Sequence, residues 1–128
     1  LKKNSQINIK KVSDYFWKTL FFIYIILVLY LTVSVPKINY NTFKGEDKIV
    51  HFLIYFIGAD LFFTAFYKKS KTLYFFIFLS FFLLIPFITE FLQLLTPYRS
   101  YSLLDMAANY VGIFVGYLFF MFKYKAFN

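Results

Sequence analysis

Four apolar runs, each about as long as a bilayer-crossing helix, alternate along this chain with short polar stretches that carry lysine. The first predicted span covers about residues 20–35, approached by residues 16–19, and stops at Pro36, which cannot donate a backbone hydrogen bond. Gly45 breaks the following loop ahead of a second span at about 49–67. Glu46 and Asp47 then fall at a helix N-terminus, where negative charge is favoured. A basic turn of Lys68, Lys69 and Lys71 leads to a third span at about 73–95. Pro86 inside that span deprives the Phe82 carbonyl of its usual donor and predicts a kink. A tight loop with Pro97 and Arg99 precedes a fourth span at about 103–122, and Ser102 followed by Asp105 fits a capping box at its start. The expectation is an all-α polytopic membrane protein. Residues 1–128 would form a single membrane domain, a four-transmembrane-helix bundle.

Composition supports that class. At 61% hydrophobic and 16% charged residues, a chain of this size could not hide its apolar side chains in a water-soluble fold. The absence of cysteine excludes disulfides, thiolate metal sites and a cysteine nucleophile. With one histidine, no dedicated transition-metal site is expected, and nothing in the sequence asks for a cofactor. The net charge of +8 reads as topology and headgroup contact, with no nucleic acid expected as partner. If both termini are cytoplasmic, Lys2, Lys3, Lys10, Lys11, Lys18, Lys68, Lys69, Lys71, Lys123 and Lys125 lie inside. Only Lys37, Lys44, Lys48 and Arg99 then lie outside. That bias predicts the orientation. Residues 1–14 lack a small-residue cleavage site, so they read as a basic interfacial segment.

The polar residues are not scattered. Asp47, His51, Tyr55 and Gly58 share one face of the second span. Glu90 sits one turn after Pro86, with Gln93 beside it. Asp105, Asn109, Gly112 and Gly116 follow the spacing i, i+4, i+7, i+11, a single narrow face at ~100° per residue. That face is polar at one end and backbone-bare at the other. The predicted orientation puts Asp47, Lys48, His51, Glu90, Gln93, Arg99, Asp105 and Asn109 at one depth, in the outer part of the membrane. Gly112-x-x-x-Gly116 is the pattern of close helix approach, expected here within the chain rather than between copies. Asp60 stands apart, ~180° around the helix from His51 and ~13 Å deeper. It packs either against a polar group of the first span, Tyr24 or Tyr30, or against a partner subunit.

Two blocks resemble the VanZ-like family of small membrane proteins. One is Asp47-Lys48-Ile49-Val50-His51-Phe52-Leu53-Ile54-Tyr55. The other is Glu90-x-x-Gln93-x-x-x-Pro97-x-Arg99, followed by Asp105-x-x-x-Asn109-x-x-Gly112-x-x-x-Gly116. Tyr98 stands where a glycine is usual, and Asp60 is not part of the pattern. The resemblance implies a bacterial envelope protein of the inner (cytoplasmic) membrane, connected with teicoplanin-type antibiotic resistance.

The polar layer admits three readings. In one it is structural: Arg99 pairs with Asp105 or Glu90, Gln93 and Asn109 bridge helices, and the protein is a non-catalytic subunit of a larger membrane complex. In the second, Arg99 and Lys48 hold the phosphate of an anionic lipid or a lipid-linked wall precursor. In the third, Glu90 and His51 perform acid–base hydrolysis or transfer on such a lipid. Ser102 fits a helix cap better than a nucleophile. The surplus of carboxylates over Arg99 keeps the second and third readings open, because one arginine cannot neutralise Glu90, Asp47 and Asp105 together.

Overall fold

The computed structural model describes residues 2–34, 45–67, 71–96 and 101–127, and all of its regular secondary structure is α-helical. The helices are α1 (Lys2–Ser34), α2 (Glu46–Phe66), α3 (Lys71–Leu94) and α4 (Leu103–Phe127). Each contains a stretch long and apolar enough to cross a membrane: Val12–Ser34, Glu46–Phe66, Phe76–Leu94 and Leu103–Ala126. Only 11% of the α1 stretch and 33% at most of the others is buried within the chain. Ile26, Phe87, Leu104 and Phe114 are among the many large side chains left on the outside. Such a surface is untenable in water and ordinary in lipid, and the chain is a multi-pass membrane protein.

Two helices outrun their apolar runs. α1 is helical through the basic segment back to Lys2, because no proline or glycine interrupts residues 2–34. α4 continues past residue 122 to Phe127, because no proline or glycine occurs among residues 123–127, and carries Lys123 and Lys125 with it. At the start of α2, Gly45 has φ 119°, a backbone conformation that a side chain would strain, and its carbonyl accepts from the Ile49 amide at 3.2 Å. At the start of α4, the Asp105 amide donates to Ser102 Oγ at 3.3 Å and the Met106 amide to the Ser102 carbonyl at 3.1 Å. α3 stays helical through the buried Pro86.

The most extensive packing is between α2 and α4. Gly112 and Gly116 make it possible. A Cβ on Gly112 would strike the Phe52 carbonyl, and one on Gly116 the Phe56 carbonyl and the Ala59 side chain. α1 joins through the Tyr24 hydroxyl, which donates to the Ile54 carbonyl at 2.6 Å. α3 joins α4 through the Tyr110 hydroxyl, which donates to the Leu83 carbonyl at 2.9 Å. The core is aromatic and draws on every helix: Phe21 from α1, Phe62 and Phe63 from α2, Phe82 from α3 and Phe120 from α4. Phe62 meets Phe82 edge-on at 4.9 Å, and Phe63 stacks on Phe120 at 5.5 Å. The core fills the half of the bundle that holds the C-terminus of α2. In the other half the buried side chains are mainly polar, among them His51, Glu90, Gln93, Asp105 and Asn109.

Candidate functional site

The polar half is built where α2 begins, α3 ends and α4 begins. The first turns of α2 supply Asp47, Lys48 and His51; the last turns of α3 supply Glu90 and Gln93; the first turns of α4 supply Asp105 and Asn109. All but Asp47 and Lys48 are withdrawn from solvent: Glu90 and Asn109 are 0% exposed, Gln93 4%, Asp105 5% and His51 7%. His51 is the hub. Its Nδ1 lies 3.0 Å from Asn109 Oδ1 and 3.8 Å from Glu90 Oε1. On the other side of the ring, Nε2 lies 3.9 Å from Asp47 Oδ1. An amide oxygen can only accept, so Nδ1 is the donor in this pair and Nε2 faces Asp47. Asp105 meets Lys48, with Nζ 3.5 Å from Oδ1.

Hydrogen bonding in the cluster is incomplete. Among the described residues, neither carboxylate oxygen of Glu90 has a hydrogen-bond partner, and Asp105 Oδ1 and Asn109 Nδ2 also lack one. The Ser102 amide and the Asn109 side chain face Glu90 without closing a bond of normal geometry. Next to Glu90 along α3, the Thr89 hydroxyl hydrogen-bonds with that of Tyr55, itself a member of the aromatic core. Buried carboxylates without partners are costly, the more so in a membrane protein.

Several sequence expectations meet definite positions. Asp105 pairs with Lys48, whereas the sequence offered it Arg99; Arg99 lies outside the described residues, as does Tyr98. Asp60 is remote from the cluster, but neither Tyr24 nor Tyr30 is its partner. Lys123 of α4 places Nζ 2.7 Å from each Asp60 carboxylate oxygen. This pairing exists because α4 extends beyond residue 122, and the long lysine stem reaches back along it. It corrects the expectation of a partner on the first span. It also supplies Asp60 with its countercharge inside the chain, so no second subunit is needed to explain it.

One arrangement was not foreseen. Donor atoms of Asp47, His51 and Asp105 all lie within 4.8 Å of one another. Counting histidines argued against a metal, but the other two donors are carboxylates from separate helices. The signal was present only as Asp47 and His51 one turn apart, with Asp105 distant in sequence. The cluster can therefore exchange protons, bind a cation, or hold the polar part of a ligand.

No family model, curated protein or solved structure matches this chain.

Proposed function

We propose that the polar end of this bundle engages the headgroup of a phosphate-bearing lipid, an anionic phospholipid or a lipid-linked wall precursor. In this reading the protein belongs to a bacterial inner membrane, has both termini in the cytoplasm, and opens the cluster toward the outer leaflet. Glu90 carries the reading. A carboxylate that is 0% exposed, with no hydrogen bond to either oxygen among the described residues, is not what a purely structural polar layer provides. Lys48, whose side chain is 42% exposed at the rim, is the described cation able to reach a phosphate. Glu90 and His51 behind it would accept hydrogen bonds from hydroxyl or amine groups of the headgroup. The VanZ-like resemblance of the two sequence blocks, with its link to glycopeptide action at the cell envelope, points the same way.

The spacing of Glu90 and His51, 3.8 Å, supports a second reading, in which the pair moves protons during hydrolysis or transfer on that lipid. Native mass spectrometry of the protein extracted from its own membrane tests both. The expected result is a co-purifying phosphate-bearing lipid that is lost in Lys48→Ala and Arg99→Ala while thermal stability is retained. Protein free of such lipid in both mild detergent and nanodiscs would overturn the proposal. An altered lipid that disappears in Glu90→Gln would select the catalytic reading.

A further inference from the structure

We infer that Asp47, His51 and Asp105 form a binding site for a divalent metal cation, with Glu90 as the buried charge behind it. The inference shares a cluster with the lipid reading but stands on separate geometry. Two carboxylates and one imidazole, drawn from α2 and α4, bring their donor atoms within 4.8 Å of one another. Donors at ~2.0–2.2 Å from a common ion stand no more than about 4.4 Å apart. Closing that difference takes small side-chain rotations, and Asp47, 43% exposed on the first turn of α2, has room for them.

The imidazole is already set for the role. Its Nδ1–H is held by Asn109 Oδ1 at 3.0 Å, which directs the Nε2 lone pair toward Asp47, 3.9 Å away. A ligating histidine is commonly oriented by such a bond from its other ring nitrogen. An Nε2 lone pair beside the Asp47 carboxylate is repulsive unless a proton or a metal cation lies between them. Glu90 lies across the ring from Asp47, with Oε1 3.8 Å from Nδ1; it is fully buried and has no hydrogen-bond partner at either oxygen among the described residues, so the imidazole stands between acidic groups on both edges. Asp105 Oδ1, also buried, lacks a hydrogen-bond partner among them too.

Among the described residues, Lys48 is the cation nearest Asp105, at 3.5 Å. Its flexible and half-exposed side chain can withdraw when a divalent ion arrives. The mixed oxygen and imidazole donors suit Mn²⁺ and Zn²⁺ better than Mg²⁺ or Ca²⁺, which prefer oxygen alone.

The test is titration of the purified full chain, in detergent without added phospholipid, with Mn²⁺ read by the electron paramagnetic resonance of the free ion. Saturable binding of one Mn²⁺ per chain is expected, displaced by Zn²⁺ but not by Mg²⁺ at the same concentration. Asp47→Asn and Asp105→Asn should each weaken it at least ~10-fold, and Asn109→Leu, which only releases the ring, ~10-fold or more. Lys48→Met should tighten it several-fold, an effect that mere damage to the fold would not produce. Asp14→Asn should leave it unchanged. Absence of saturable binding, or binding indifferent to Asp47→Asn in a variant that elutes and melts like the parent, overturns the inference. If lipid phosphate co-purifies but Mn²⁺ does not bind, the metal site fails alone. If Mn²⁺ binds as described and no lipid co-purifies, the lipid reading fails alone.

Discussion

His51 Nδ1 and Asn109 Oδ1 lie 3.0 Å apart, and this contact decides what each edge of the imidazole meets. It ties the first turns of α2 to those of α4, and it turns Nε2 toward Asp47. The same two helices approach each other at backbone distance one to two turns further along, at Gly112 and Gly116. The glycine seam and the polar cluster are therefore consecutive parts of one interface, and changes in either will be felt by the other.

Glu90→Gln is expected to raise the thermal stability of the protein in the presence of a chelator. The substitution removes a buried carboxyl group that has no hydrogen bond among the described residues and retains the shape of the side chain. The replacement amide is itself polar, so the gain is limited to the difference between burying an ionised group and a neutral one, on the order of 1 kcal/mol. Thermal denaturation in detergent measures it. A fall in stability would mean that the carboxylate has a structural partner.

Gly112→Ala and Gly116→Ala are expected to destabilise by about 1–3 kcal/mol each, because the added methyl meets the Phe52 or Phe56 carbonyl, and backbone cannot yield locally. Gly58→Ala should cost less. Its methyl would meet the Tyr24 ring at 3.2 Å, and a side chain can shift. Melting temperatures of the three variants provide the ranking, and a Gly58 variant as damaged as the other two would contradict it.

Asp60 and Lys123 should behave as a coupled pair. The Asp60 and Lys123 side chains are 21% and 35% exposed, so removal of either charge should cost roughly 1–2 kcal/mol, between the values for surface and buried pairs. Asp60→Asn combined with Lys123→Met should be less damaging than the sum of the two. A double-mutant cycle of detergent stability reads the coupling, and strict additivity would show that the contact contributes nothing.

Topology can be read without background labelling, since the chain has no cysteine of its own. A single cysteine in place of Asn41 should react with an impermeant maleimide added outside the cell. One in place of Ser5 or Asn128 should react only after permeabilisation. The reverse pattern would invert the orientation that lysine and arginine bias predicts, and with it the leaflet assigned to the cluster.

Chain chemistry alone determined the existence of four apolar helices and most of their boundaries, because a bilayer leaves a helix as the way to satisfy a single span's backbone. It also determined which residues share a helical face, since a rigid periodicity relates Asp105, Asn109, Gly112 and Gly116 before any packing occurs. How far a helix runs beyond its apolar stretch was less legible. Hydropathy marks the membrane, while α1 and α4 continue until something breaks them. Tertiary packing decided the pairings. Lys48 meets Asp105, Lys123 meets Asp60, and Asp47, His51 and Asp105 converge only because Gly112 and Gly116 let α4 lie against the backbone of α2. Charges in one helix do not specify which opposite charge they will reach. That depends on the distance and rotation between helices, and these are set by the small side chains at the seam.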